Sequence, residues 1–209
     1  MKYSLPTYLV LFILFAVNSA IAQENQTIFK GGDLKRSGGY GALSNKFTTI
    51  NGSYANMPEV YGGWFINRRL MIGVAGAATT NRIPVPVENQ YITGERLSYQ
   101  YGQFGLMTEY VTASTKRVHV NFNLMTGAGF ILQYDRNGWD NWEFEDDAND
   151  PDFFFVMEPG VQLELNLFKW MRFSPGVSYR RAFGSNSKGL TDDELSGLSG
   201  NLTLKFGRF

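Results

Sequence analysis

The sequence predicts an all-β fold, an eight-stranded antiparallel up-and-down transmembrane β-barrel. Three observations predict it. Apolar residues between Gly38 and Phe209 recur with a period of two, which gives each strand two unlike faces. The links between the apolar runs alternate short and long. Basic residues mark the short links, and acids crowd the third long one.

The barrel is not expected to start at the first residue. Lys2 opens a short basic region, Tyr8 to Val17 is an unbroken apolar run, and Ala20-Ile21-Ala22 has the small-x-small form read by signal peptidase. As a helix at ~1.5 Å per residue this run covers about half of a ~30 Å hydrocarbon core. Residues 1–22 therefore read as a signal peptide cleaved after Ala22, 23–36 as a short N-terminal periplasmic segment, and 37–209 as the barrel. No later stretch is long and apolar enough for a spanning helix, so a membrane protein built from this chain crosses with strands. The sequence contains no cysteine, which rules out a lipidated cysteine and a disulfide scaffold. Losing Lys2 with the leader turns 19 basic against 19 acidic residues into an excess of one acid, so nucleic acid is not an expected partner.

In chain order, the first four strands are placed at 37–47, 55–66, 70–80 and 98–111. Glycines such as Gly41, Gly62, Gly63, Gly73 and Gly105 blur their period. The fifth, Val118–Tyr134, sets Val118, Val120, Phe122, Leu124, Ala128, Phe130, Leu132 and Tyr134 against His119, Asn121, Asn123 and Gln133. The sixth, Phe153–Leu167, sets Phe153, Phe155, Met157, Val161, Leu163 and Leu165 against Glu158, Gln162, Glu164 and Asn166. Met171–Tyr179 and Leu198–Phe206 complete the set, with Arg172, Ser174, Ser178 and then Arg180 on one polar face and Ser199, Asn201, Thr203 and Lys205 on the other.

Asn67-Arg68-Arg69, Thr112–Arg117 and Phe168–Trp170 are tight turns, whereas 48–54, 81–97, 135–152 and 185–197 are long links. An even strand count puts both termini and all the short turns on one side, as periplasmic turns opposite external loops require. Trp64 and Trp170 beside short turns, with Tyr134, Tyr179, Tyr99 and Tyr101 near the other strand ends, fit two aromatic girdles. Arg68, Arg69, Lys116, Arg117 and Lys169 sit at the short turns, opposite the acids of the third loop.

Period two does not say which face is inside. A soluble, lipocalin-like carrier with an inward apolar face is the alternative. The density of charge on the polar faces favours the membrane barrel. Glu109, Glu158, Glu164, Arg172, Arg180, Lys205 and His119 then form a lumen charge network, because eight strands leave room for side chains only and buried charges need partners.

"VHVNFNLMTGAGF", "MEPGVQLELNL", "PGVSYRRAFG" and the terminal "KFGRF" resemble small outer-membrane β-barrel proteins of bacteroidete-type bacteria, of the OmpA/OmpX-like eight-stranded kind. The resemblance spans most of residues 37–209 and implies no catalytic set. The C-terminal Phe209 is similar to the signal by which the barrel-assembly machinery receives its clients. Leu202, Leu204 and Phe206 are out of phase with it, and a bulge at Gly207 would restore the phase.

Chemistry finds little to work with. His119, the single histidine, sits two residues beyond a short turn, far from an outer-leaflet substrate, so a lipid-modifying Ser-His-carboxylate enzyme is the weaker alternative. Paired-carboxylate catalysis by Glu109, Glu158 and Glu164 is weaker than ion pairing. No His/Cys metal spacing and no phosphate-binding glycine loop exist. Asp146, Asp147, Asp150 and Asp152 offer oxygens to calcium without the glycine and glutamate of an EF-hand, and no metal or cofactor is expected. Trp139 and Trp142 in the same loop suit a glycan or protein partner, or packing on the rim. The expectation is a monomeric, non-enzymatic outer-membrane protein, in contact with outer-membrane lipid and lipopolysaccharide, acting through external loops in surface interaction or envelope integrity.

Overall fold

A computed structural model describes residues 38–92, 96–135 and 148–209, with the side chains of 148–150 left aside. The expected leader and N-terminal segment lie outside the described residues. The strands are β1 (Gly38–Ile50), β2 (Ser53–Ile66), β3 (Leu70–Ala78), β4 (Ile83–Pro84), β5 (Leu97–Val111), β6 (Val118–Asp135), β7 (Ala148–Phe168), β8 (Met171–Phe183) and β9 (Gly197–Gly207). All pairings are antiparallel between chain neighbours, β9 returns to β1, and β3 pairs with β5, so the sheet closes on itself. The two-residue β4 only extends the rim beside β5, which leaves eight strands in the closed barrel.

Alternation has one physical outcome all round the wall. Residues such as Leu43, Val60, Trp64, Val74, Phe104, Leu106, Phe122, Leu163, Val177 and Leu204 face outward and are exposed, while Lys46, Glu59, Glu109, Gln162, Arg180 and Lys205 face inward and are buried. The outer wall is apolar, and the interior mixes apolar side chains such as Met57, Phe65 and Met71 with buried charges, so the wholly apolar inward face expected of a soluble carrier is not there. Trp64 and Trp170 are exposed beside the short turns, and Trp170 stacks between Phe168 (5.7 Å) and Phe206 (6.2 Å). Tyr179 also faces outward, but Tyr99 and Tyr101 are fully buried in the lumen, so they are not girdle residues. β5 runs above the level where its outer face is apolar, and its inward tyrosines fill the space beneath the external loops.

The first link is not long. β1 and β2 continue in register to Ile50 and Ser53, joined by Asn51-Gly52 with φ of 49° and 69°. Positive φ at both positions is the two-residue hairpin turn that Asn-Gly favours. Gly52→Val puts a β-branched residue at that angle with open space around it. The expected loss is about 1–2 kcal/mol, from backbone strain alone, read as a lower urea midpoint with the barrel intact.

Inward glycines mark two places where paired backbones come too close for a side chain. Gly63 and Gly73 face each other across β2–β3, and Gly105 and Gly127 across β5–β6. A Cβ on Gly73 would land on the carbonyl of Gly62 and the Cα of Gly63, and one on Gly105 on the carbonyl of Thr126 and the Cα of Gly127. The backbones crease together there because nothing stands between them.

Candidate functional site

The lumen holds the chemistry-bearing residues, in two charged tiers with amides and hydroxyls between them. In the lower tier, near the short turns, Lys205 of β9 reaches Glu109 of β5 (2.8 Å) and Glu164 of β7 (2.5 Å), all three fully buried. Glu164 also accepts from Arg172 of β8 (2.9 Å) and meets His119 Nε2 of β6 (2.8 Å). Glu109 accepts from the Tyr61 hydroxyl (3.0 Å) and the Asn121 amide (2.9 Å).

In the upper tier Lys46 of β1 lies between Glu59 of β2 (2.6 Å) and Glu158 of β7 (2.9 Å). Glu158 further accepts from Gln103 (2.6 Å) and Ser178 (2.6 Å). Between the tiers, Asn121 donates to Gln162 (3.4 Å), Gln162 to Thr203 (3.5 Å), and Thr203 shares a hydrogen bond with Ser44 (2.8 Å). Several strands contribute to each tier, β5, β6, β7, β8 and β9 to the lower and β1, β2, β5, β7 and β8 to the upper.

Of the sequence-predicted lumen residues, the structure brings Glu109, Glu164, Arg172, Lys205 and His119 into one cluster and puts Glu158 in the other. Arg180 joins neither. It donates to the carbonyls of Leu195 (2.7 Å) and Thr49 (2.9 Å) and lies 4.9 Å from the Tyr101 ring centroid. The pairing of Arg180 with an inward glutamate is thereby corrected: its guanidinium is taken by backbone carbonyls at the end of β1 and in the last external loop. Lys46 and Glu59, which complete the upper tier, were not among the expected residues.

Both ring nitrogens of His119 are taken. Nε2 meets Glu164 and Nδ1 meets the Lys116 carbonyl (3.1 Å), so neither faces a serine hydroxyl in the arrangement a nucleophile needs. His119, Asn166 and Arg172 together bind the carbonyls of Ser114 and Lys116 and hold the β5–β6 turn under the barrel mouth. The same mouth receives Phe209, whose ring lies 5.2 Å from Tyr40, 6.4 Å from Phe65 and 3.9 Å from the Arg172 guanidinium. The phase of β9 is therefore not reset at Gly207. Phe209 follows Thr203 and Lys205 on the inward face.

The opposite mouth is covered by two interlocked loops. Lys188 donates to the Gln90 carbonyl (2.9 Å), Asn89 to the Gly189 carbonyl (3.3 Å) and Gln133 to the Asn89 carbonyl (3.0 Å), over a floor of Ile83, Val85, Leu97, Leu190 and Leu195. A capped helical turn, Asp192–Leu195, begins at Thr191, whose hydroxyl accepts from the Glu194 amide while Glu194 returns to the Thr191 amide. Asp152 accepts from Ser185 Oγ (2.9 Å) and the amides of Asn186 (2.8 Å) and Ser187 (3.1 Å). Trp139, Trp142, Asp146 and Asp147 lie outside the described residues, as does the side chain of Asp150. Among the described residues no group of three or more His, Cys, Asp or Glu is placed to hold a metal.

Asp192 accepts from the amides of Ser185 (2.8 Å) and Gly184 (3.0 Å), and these two donors hold its carboxyl below the usual aspartate range. A depressed folded value means a contribution to stability that is complete above the unfolded value of about 3.9 and lost as pH falls through the folded one. The Gly184 and Ser185 amide resonances are expected to stay fixed from pH 6 to about 4 and to move only below about 3.9. A transition centred above that would contradict these bonds.

A closed antiparallel barrel of eight strands, with an apolar outer wall and a charged, filled interior, defines the class of small outer-membrane-type barrels. Solved structures agree on the fold. The chain is similar to Neisserial surface protein A (NspA), with a TM-score of 0.56 at 9% identity over 81% of this chain and 96% of that one. It is also similar to a major outer membrane protein from Thermus thermophilus, with a TM-score of 0.51 at 10% identity over 81% of this chain and 98% of that one. No family model matches the chain, and no curated protein matches it.

Proposed function

We propose that this is a non-enzymatic outer-membrane barrel that works as a sealed scaffold, presenting its external loops for surface interaction or envelope integrity. The observation that carries this reading is the lumen. Glu59, Glu109, Glu158 and Glu164 are met there by Lys46, Arg172 and Lys205, while Phe209 and the loop pair stand at the two mouths. Charges matched this closely inside a narrow barrel stabilise the interior and leave no open pore or nucleophile to act. The loops are what remains available to a partner, among them the link between β6 and β7, residues 136–147.

Two measurements test it. In planar bilayers the protein is expected to give no stepwise conductance; steady single-channel steps would refute the sealed lumen. Deleting residues 137–150 is expected to lower adhesion or envelope integrity while heat-modifiable migration is kept. Unchanged adhesion and integrity in that variant would count against the loop role.

A further inference from the structure

Arg181 is the one charged side chain that faces outward among the described strand residues. Its neighbours Arg180 and Ala182 are buried inside, whereas Tyr179 and Phe183, on its own face, are exposed. A strand rising ~3.3 Å per residue and tilted ~40° climbs about 2.5 Å per residue along the membrane normal. From Met171 at the short turn, Arg181 then lies about 25 Å up, at the outer edge of the apolar band of such a barrel. An arginine there costs little if an anion meets it and more if only acyl chains do.

Its surroundings are aromatic. Phe155 and Phe183 are register partners with ring centroids 6.0 Å apart, and Phe153 and Phe130 lie 6.3 Å apart further out along β7 and β6. The guanidinium is 5.7 Å from the Phe183 centroid, and Phe153 is 67% exposed. The apolar outer face of β7 runs from Leu167 to Phe153, about 35 Å along the normal, against about 20 Å on β9 from Phe206 to Leu198. These rings therefore stand at and above the headgroup level. Arg181 pairs with Asp193 of the last loop, and with its side chain 39% exposed the guanidinium keeps N–H donors on its open side.

We propose that Arg181, with Phe155 and Phe183 beside it, binds the phosphorylated sugar headgroup of an outer-leaflet glycolipid. The guanidinium takes the phosphate in its planar fork. The ring faces take the C–H face of the sugar, since their π-clouds attract polarised hydrogens. Asp193 orients the guanidinium from above. The inference rests on the membrane reading under Proposed function and gives that scaffold a defined lipid contact on the β7–β8 wall.

Its test uses the full mature barrel in phosphatidylcholine nanodiscs containing lipid A, followed by native mass spectrometry of the released protein. The wild type is expected to retain lipid A, and Arg181→Gln to retain about tenfold less, as for the loss of a charge-assisted bidentate contact. Arg181→Lys should fall between them, and Phe155→Ala with Phe183→Ala should lower retention at unchanged charge. Asp193→Asn separates the two roles of Arg181: it should keep or gain lipid A, because the guanidinium is released to the phosphate. Equal loss in Asp193→Asn and Arg181→Gln would overturn the proposal in favour of a loop tie, and so would equal retention in wild type and Arg181→Gln. Equal retention of dephosphorylated lipid A, or lipid-free dimers through this wall, would also overturn it. Heat-modifiable migration reports folding of each variant. Failure of the wild type to insert into the discs would refute the membrane reading itself, which is a different result from insertion without lipid A.

Discussion

Lys205→Met is expected to cost about 3–5 kcal/mol, or to leave the barrel unable to close, because it strands two buried carboxylates at once. Lys205 Nζ is the shared partner of Glu109 and Glu164, and all three side chains are sealed from solvent. Glu164 would still have Arg172 and His119. Glu109 would be left with the Tyr61 hydroxyl and the Asn121 amide, neither of which carries charge. Adding Glu109→Gln to Lys205→Met removes one charge of each sign and should recover a large part of the loss. The urea midpoint for loss of the compact, heat-modifiable form reads both variants. Losses that simply add would mean that the lower tier is hydrated and that the interior is not a closed ion network.

Gly73→Val is expected to cost about 3 kcal/mol or more, beyond the usual range for overpacking, since its Cβ meets backbone rather than a movable side chain. The neighbours it would strike are the Gly62 carbonyl and the Gly63 Cα on β2. Gly76, three residues on in the same strand, is the matched control. It faces outward, and a Cβ there would meet only the Gln103 carbonyl at 4.0 Å. Gly76→Val should therefore fold with a small change, and it even gains strand propensity. Equal effects at the two positions would show that close approach of β2 and β3 does not limit closure.

The architecture was legible because period two, link length and the side of each charge are properties of the chain itself. β6 to β9 read clearly, since their outward residues are aliphatic or aromatic and their inward ones are Glu, Gln, Asn, Arg and Lys. β1 and β2 invert that contrast. Inward stand Tyr40, Ala42, Ala55, Met57, Tyr61 and Phe65, and outward Gly41, Asn45, Thr49, Asn56 and Pro58. Lys46 and Glu59 were thus hidden among apolar inward neighbours, although a Lys and a Glu in strands expected to pair were a usable signal. The Asn-Gly at 51–52 was another, and it fixed the first hairpin outright. The inward turn of Phe209 and the bonds of Arg180 to carbonyls depend on how loops and termini fold over the mouths, which no periodicity encodes.

The absence of native cysteine makes the decisive measurement simple. Single cysteines at Leu202, Thr203 and Leu204, labelled with a nitroxide in lipid bilayers, report which face of β9 meets lipid. Leu202 and Leu204 are exposed on the outer wall and Thr203 is buried in the lumen. The expected result is high accessibility to dissolved oxygen at 202 and 204 and low accessibility at 203. High accessibility at 203 with protection at 202 and 204 would put the apolar face inside and contradict the inside-out barrel on which the whole account stands.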